Sequence, residues 1–364
     1  MKTFFARFRV LRNLRPLLLD SLKTLGALLL AYLFAFLIIL AVSEEPGNAI
    51  RWFVLGPFSS AYEFGEIWKN AVPLMFAGIA SCLILRAGQF NMFTEGAFYA
   101  GGLAGACIAI YSGMPGWLAA VSGVLGGGLV AALIGWIPSR MKARRGINEF
   151  VSSIMFNYIV LWVGVWLISR VIIDVSSGDN ATQIIPADAR FPILFPGTNV
   201  NAGLLLAIAA VILVDVLLFR TRFGYHVRVT GDNPGFAAYA GIDVPKKVVQ
   251  AQVAGIAVAG MGGAAEILGN YSRFNWKTLP GYGFDGFLVA ILAKNRPLAV
   301  PFAAFFLGYL RSGADLMAFN SDVAKEVVAI IQGLVILLVA SERLFTWEAF
   351  RKWIRKRKGG EVRV

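Results

Sequence analysis

The sequence predicts an all-α polytopic membrane protein with about ten transmembrane helices and both termini in the cytoplasm. Its composition supports this fold class: 58% of the 364 residues are hydrophobic, only 15% are charged, and the mean hydropathy is +0.69. A soluble domain carries roughly a quarter charged residues. In addition, apolar runs long enough to cross a bilayer recur from residue 25 to residue 340.

The apolar runs divide the chain into a membrane domain over 22–341, a short tail over 1–21 and a basic tail over 342–364. We expect both tails in the cytoplasm, the second resting on anionic headgroups. The predicted spans are 22–42, 71–87, 92–112, 117–138, 148–169, 202–219, 248–269, 282–294, 297–317 and 325–341.

The distribution of positive charge predicts the orientation. With the N-terminus inside, the outer stretches hold 8 of the 34 Lys and Arg residues, and the cytoplasmic stretches hold the rest. This is the positive-inside asymmetry. One span more or fewer would place either 140–145 or the loop 220–247 outside. The net charge of +13 therefore follows from membrane topology and does not indicate nucleic-acid binding.

Two segments differ from ordinary spans. The stretch RAGQFNMFTEGAFYAGG (86–102) places polar residues between apolar runs, and LPGYGFDGFLVAILAK (279–294) contains an apolar helix too short to cross about 30 Å. Broken helices at membrane depth occur where they are buried in protein or line a cavity, and a pair of them is typical of a transport route. We therefore predict broken or re-entrant segments near 86–96 and 280–286.

The sequence gives little support to an enzyme. It contains no G-x-x-x-x-G-K-[ST] phosphate loop and a single histidine, His226, which lies in a loop. Cys82 and Cys107 lie in apolar segments and are expected to be packing residues. The long polar outer loop over 170–201 is of a length that is usually functional or partly structured.

The cytoplasmic loop 220–247 contains a short helix with a cap at each end. Asn233 is a good N-cap, Pro234 suits the first helical position, and Gly241 permits the left-handed turn that ends a helix. A helix this short is unstable alone in water. Another structure must therefore hold it.

Four motifs, in order, carry a resemblance to a known family: FNMFTEGAF (90–98), INEFVSSIMFNYI (147–159), TRFGYHVRVTGDNPGFAAYAGIDV (221–244) and GYGFDGFLVAILAKNRPLAV (281–300). From residue 74 to 340 the chain resembles permease subunits of bacterial ABC importers, in the branch that serves branched-chain amino acids, sugars and nucleosides. The nearest likeness is to nucleoside-type permeases that work with basic-membrane-lipoprotein class binding proteins. Phe93, Ala97 and Lys294 depart from the family pattern, which leaves the substrate open.

The resemblance implies a transport subunit of the inner membrane without its own ATPase site. Such a subunit binds no cofactor; ATP is hydrolysed on a partner ATPase. The other implied partners are a second permease, identical or different, an external substrate-binding lipoprotein and the lipid bilayer. A nucleoside-like solute is the expected cargo, with riboflavin or another heteroaromatic nutrient, or a simple sugar, as alternatives. An ion-coupled secondary transporter or a channel is the competing class.

The resemblance also implies that the short helix is the coupling helix that docks on the ATPase. Phe236 and Tyr239 lie at i and i+3 and would enter a groove of the partner. The residues expected to form this element are Asn233, Pro234, Phe236, Ala237, Tyr239, Gly241 and Arg228. The alternative is a helix that merely rests on headgroups.

Polar residues of the broken segments are candidates for the substrate path, because an ionisable group inside a membrane is a functional-site hypothesis. Glu95 either faces substrate or accepts backbone N–H bonds at the broken helix, and Asp285 has the same two roles open. Asn157 contacts either a neighbouring helix or the ligand. The aromatic residues near the first break either stack on a planar ligand or pack in the core. The candidates are Gln89, Phe90, Asn91, Thr94, Glu95, Asn157 and Asp285.

Overall fold

A computed structural model describes residues 33–175, 178–324, 326–328 and 330–334 of the chain. Its helices, in chain order, are α1 (Leu33–Val42 within the described part), α2 (Pro46–Leu55), α3 (Ala61–Arg86), α4 (Thr94–Tyr111), α5 (Gly116–Arg145), α6 (Glu149–Arg170), α7 (Gly203–Arg220), α8 (Arg222–Asp232), α9 (Pro234–Tyr239), α10 (Val244–Asn270), α11 (Tyr282–Leu292) and α12 (Val300–Asn320). The predicted tails 1–21 and 342–364, and the span ends 22–32 and 335–341, lie outside the described residues.

The fold is all-helical in its described part, as the composition predicts. Five helices, α3, α5, α6, α7 and α10, are long and apolar enough to cross a membrane. The count rises to six if the bent pair formed by α11 and the helical stretch from 297 to 320 is one span. The total of ten spans and the orientation of the termini stay predictions.

The described residues form two compact units, one over 57–312 and one that combines the described residues before 57 with those after 312. In the second of these units, Asp322 joins the two parts of the sequence. Its carboxylate accepts hydrogen bonds from the Ser43 hydroxyl at 2.6 Å and from the Glu44 backbone N–H at 2.5 Å. The candidate functional residues all lie in the unit over 57–312.

Two helices extend well beyond the apolar runs that predict them. Helix α3 begins ten residues before 71 because Ser60 caps it, accepting from the Glu63 N–H at 3.2 Å. Helix α5 continues past 138 to a basic last turn and ends at Gly146, which has a φ of +65°. Hydropathy cannot locate these ends, because polar turns and caps set them.

Three glycines bring the backbones of α4, α5 and α10 into direct contact. A Cβ on Gly101 would lie 2.5 Å from the Cα of Gly260, and one on Gly127 would lie 2.5 Å from the carbonyl oxygen of Gly101. A Cβ on Gly260 would lie 2.8 Å from the carbonyl oxygen of Gly127. Membrane helices associate through such small-residue contacts, because lipid provides no hydrophobic driving force between them.

Both predicted breaks are present. The first separates α3, which ends at Arg86, from α4, which begins at Thr94. The second precedes α11, where Gly281 has a φ of +85°. After α11 the chain bends by 105° through a turn in which Lys294 and Asn295 both have positive φ. Left-handed geometry at two consecutive non-glycine residues is uncommon.

The loop over 170–201, which is predicted to lie outside, is partly structured where it is described and is attached to the segment between α10 and α11. The Thr182 N–H donates to the Phe274 carbonyl at 3.1 Å, and the Phe274 N–H donates to the Thr182 hydroxyl at 3.0 Å. At the exposed edge, Lys277 binds Asp179 at 2.5 Å. This hydrogen bond, with one from the Asn180 N–H, holds the pKa of Asp179 below its usual range.

We predict that Gly101→Ala destabilises the protein by about 1–3 kcal/mol, because a methyl group overpacks a backbone-to-backbone contact. Thermal unfolding of the detergent-solubilised protein measures the change. Gly47→Ala is the matched control, since nothing lies within 4 Å of a Cβ at that helical position. Equal stability of the Gly101 variant and the control would show that the contact is not close-packed.

Candidate functional site

Glu95, in the first turn of α4, lies fully buried against the N-terminus of α11. One carboxylate oxygen accepts the Gly281 N–H at 2.5 Å, and the other accepts the N–H groups of Gly283 at 2.6 Å and Phe284 at 3.3 Å. The first N–H groups of a helix have no partner within it, and the helix dipole favours negative charge there. Glu95 therefore caps α11 and joins the two broken segments.

The glycines of the motif GYGFDG make this contact possible. Gly281 adopts a left-handed conformation that suits glycine. At Gly283, a Cβ would lie 2.5 Å from the Cα of Glu95 and 2.8 Å from its carboxylate. Only a glycine at 283 allows the backbone of α11 to approach Glu95 this closely.

A polar stripe on α6 satisfies the backbone of the first break. Glu149, Ser153 and Asn157 are spaced by four residues and lie on one helix face. Glu149 accepts from the Phe90 N–H at 2.8 Å, and Ser153 accepts from the Met92 N–H at 3.0 Å. Asn157 accepts from the Gly96 N–H at 2.9 Å and donates to the Met92 carbonyl at 3.0 Å.

The other polar residues of this break bind mainly to one another and to α10. Asn91 donates to Gln252 at 2.7 Å and accepts the Phe93 N–H at 2.9 Å. Gln89 donates to the carbonyl of Gly88 at 3.2 Å and accepts from Gln252 at 3.5 Å. The buried hydroxyl oxygen of Thr94 has no hydrogen-bond partner among the described residues.

A second polar cluster surrounds the far side of α11. Asp285 forms an ion pair with Arg311 of α12, whose guanidinium lies 5.5 Å from the ring centroid of Tyr282. The Tyr282 hydroxyl donates to Glu266 of α10 at 3.4 Å, and Asn270 donates to the same carboxylate at 2.9 Å. Asp285 is thus an ion-pair partner between helices.

Sequence reasoning missed Gln252, Glu266 and Arg311. Gln252 and Glu266 are polar side chains inside the apolar segment 248–269, and Arg311 lies inside the segment 297–317 although its charge counts with the outer stretches. The signal that could have found them is an uncompensated polar group within a predicted span, which must face a partner or a cavity. Among the residues that the structure describes, no group of His, Cys, Asp and Glu is arranged to hold a metal.

The structure brings together Gln89, Asn91 and Gln252 on one side of the break and Thr94, Glu95 and the α11 N-terminus on the other. It places Asp285 in a different cluster, with Arg311 and Tyr282. Of the aromatic residues near the break, Phe93, Phe98 and Tyr99 are fully buried, and Phe90 is 40% exposed. Phe90 is the most exposed of these four residues, and its ring packs against those of Phe150 and Phe287, with centroids 5.8 and 5.0 Å away.

The short helix predicted in the loop 220–247 is present as α9, six residues long. Asn233 caps it, accepting the Phe236 N–H at 3.0 Å, and Gly241 has a φ of +77°. Ala237 is fully buried, whereas Phe236 is 60% and Tyr239 is 97% exposed. Helix α9 therefore packs on the protein through Ala237 and exposes its two aromatic side chains.

Arg228 lies away from the exposed aromatic pair. Its guanidinium lies 4.9 Å from the ring centroid of Phe219 at the end of α7, and its Nε donates to the Gly224 carbonyl at 3.4 Å. It is half-buried. Within this chain, its contacts are with the base of the loop rather than with α9.

These features define a multi-pass helical permease with two broken segments and an exposed helix in the loop 220–247. Residues 66–340 match the family described as "Branched-chain amino acid transport system / permease component". The match covers most of the chain, which belongs to this family. It is the membrane permease component of an ABC importer, an integral protein of the inner membrane, in a class that works with ATPase and substrate-binding proteins.

Several relatives are similar over most of their length. The guanosine ABC transporter permease protein NupP of Bacillus subtilis is 31% identical over 304 residues, 82% of this chain and 86% of that one. The glucose ABC transporter permease protein TsgB13 of Haloferax volcanii is 30% identical over 323 residues, 84% and 83% of the two chains. The nucleoside ABC transporter permease protein NupB of Lactococcus lactis is 27% identical over 329 residues, 88% and 90%.

We predict that Glu95→Gln destabilises the protein by about 2–4 kcal/mol, because the charge that favours several N–H bonds is removed and an amide NH₂ meets N–H donors. Thermal unfolding in detergent reports the loss, and transport by the assembled complex falls with it. Glu45→Gln is the control, since Glu45 precedes α2 without a side-chain cap bond. Wild-type stability with lost transport would assign Glu95 to substrate rather than to α11.

Proposed function

We propose that this permease imports a nucleoside, driven by ATP that a partner subunit binds and hydrolyses, and that the partner holds α9. The exposure of Phe236 and Tyr239 on a doubly capped helix is the observation that supports this role best. This chain itself binds no cofactor in the proposal. The charged groups around its breaks serve to hold helices and to shape the path.

The structure of α9 suits a helix that binds in a groove of the partner subunit. Six residues cannot form a stable helix alone. Here Asn233 holds the N-terminus, Gly241 permits the C-terminal turn, and Ala237 fixes the helix to the loop. The two exposed aromatic side chains cost little conformational entropy to immobilise, and aromatic residues are typical anchors of protein interfaces.

A nucleoside is the preferred substrate because two of the three relatives named above are called guanosine or nucleoside permeases. Phe90 supports this choice, since it is 40% exposed and forms an aromatic cluster with Phe150 and Phe287 on which a nucleobase can stack. The second candidate is a simple sugar, which the glucose permease relative favours. Riboflavin, with its planar ring, would use the same aromatic surface.

The remaining partners follow from the same assignment. A second permease, identical or different, would complete the path, and a substrate-binding lipoprotein would contact the outer loops, including 170–201. The positive-inside asymmetry supports a cytoplasmic position for both termini and the loop 220–247. ATP binding would close the ATPase pair and move α9, and this movement would change the side from which the path is open.

We predict that proteoliposomes containing the complete transporter take up guanosine in an ATP-dependent manner. Unlabelled nucleosides should compete, and equal concentrations of glucose or riboflavin should not. Competition by glucose or riboflavin alone would change the substrate assignment and leave the permease role intact. Uptake driven by an ion gradient without the ATPase would contradict the proposal as a whole.

We predict that Phe236→Ala combined with Tyr239→Ala lowers guanosine uptake per ATP hydrolysed by about tenfold or more, because the partner loses its anchors. The ratio is measured in the same proteoliposomes. Tyr111→Ala, at an exposed tyrosine at the end of α4, is the control. An unchanged ratio in the double variant would contradict docking of α9, and also the orientation, because only a cytoplasmic α9 reaches the ATPase.

A further inference from the structure

Arg86, the last residue of α3, lies at a junction of three elements. Its Nε donates to the backbone carbonyl of Asn295 at 2.9 Å, in the turn between α11 and α12. Its guanidinium carbon lies 5.6 Å from the ring centroid of Phe219, at the end of α7. The same ring receives Arg228 of α8 at 4.9 Å. Phe219 therefore joins α3 to α8 through two cation–π contacts.

The backbones of α8 and the first break also touch directly. A Cβ on Gly231 would lie 2.8 Å from the N of Gly88 and 2.9 Å from the carbonyl carbon of Ala87, and it would overlap the carbonyl oxygen of Arg86. No side chain fits between these backbones. A displacement of α8 toward the membrane domain must therefore push residues 86–88, since close-packed contacts transmit strain.

Helix α9 has a short path to this contact. Asn233 both ends α8 and caps α9. Gly231 precedes it by two residues. A displacement of α9 is therefore transmitted to Gly231 without an intervening flexible linker.

Helix α11 is held at both ends by the residues that flank the first break. At its N-terminus Glu95 accepts the N–H groups of Gly281 and Gly283. Beyond the C-terminus of α11, Arg86 donates to the backbone carbonyl of Asn295. The N–H of Asn295 in turn donates to the Ala290 carbonyl at 2.8 Å. Movement of the first break therefore acts on both ends of α11.

We propose that Arg86 is a positioning residue that transmits the displacement of α8 and α9 to α11, so that the second broken segment moves with the first. The proposal rests on the proposed function, because it takes the ATPase as the source of the displacement. Arg86 acts through Phe219 and Asn295 and touches neither substrate nor nucleotide. Its planar guanidinium can donate and stack at the same time, which a lysine ammonium cannot reproduce.

The test measures guanosine imported per ATP hydrolysed, in proteoliposomes containing the complete transporter. Arg86→Gln should lower this ratio by about tenfold while ATP hydrolysis stays within about twofold of wild type. Arg86→Lys should restore part of the ratio, because its charge remains over Phe219. Arg140→Gln is the matched control, since Arg140 stacks on Trp136 of its own helix at 4.7 Å. A wild-type ratio for Arg86→Gln would overturn the proposal.

A second readout does not depend on the substrate. In a background lacking Cys82 and Cys107, Phe284→Cys places a thiol on the half-exposed start of α11. A non-hydrolysable ATP analogue should change its reaction rate with maleimide, and Arg86→Gln should abolish that change. Persistence of the change in Arg86→Gln would refute the role of Arg86, even if guanosine were the wrong substrate. No change in the otherwise wild-type background would instead count against the proposed function.

Gly231→Ala tests the same contact from α8, whereas Arg86→Gln tests it from α3. Its methyl group would push α8 away from residues 86–88, and we expect the same loss of coupling. Gly47→Ala is its control, because this glycine lies in α2, away from the proposed docking helix, and nothing lies within 4 Å of a Cβ there. If Gly231→Ala abolished assembly with the ATPase while Arg86→Gln left the coupling ratio unchanged, the contact would be structural and the proposal wrong.

Discussion

The contact between the Glu95 carboxylate and the first N–H groups of α11 is the constraint on which the membrane domain depends. A short helix inside a bilayer exposes orphan backbone donors that lipid cannot satisfy. Glu95 supplies acceptors for three of them, and the helix in turn compensates a buried negative charge. The two broken segments thereby stabilise each other.

Most of the polar side chains around the two breaks hold these segments in place. Glu149, Ser153 and Asn157 hold the first break from α6, and Gln252 holds it from α10. Where α4, α5 and α10 meet, glycines stabilise the packing, since they allow the helix backbones to touch. In the proposed function, substrate recognition falls to exposed side chains such as Phe90.

The sequence predicts the features that depend on local chemistry. Asn233 and Gly241 act as caps, and residues 86–96 and 280–286 contain breaks, because these follow from residue types at short spacing. The sequence does not predict which side chain binds the free backbone N–H and C=O groups of each broken segment. The partnership of Glu95 with Gly283, or of Asp285 with Arg311, joins residues far apart in the chain and depends on helix packing. Likewise, the start of α3 depends on the Ser60 cap rather than on hydropathy.

The central claim is that the loop helix α9 and α11 move as one body. Spin labels at Ala238 and at Phe284, in the complete transporter, measure their separation directly. The account predicts that this distance changes by no more than about 2 Å, the scale of shifts within a packed unit, when a non-hydrolysable ATP analogue is added. A change of about 5 Å or more, the size of a one-turn helix displacement, would show that α11 moves independently and would contradict it.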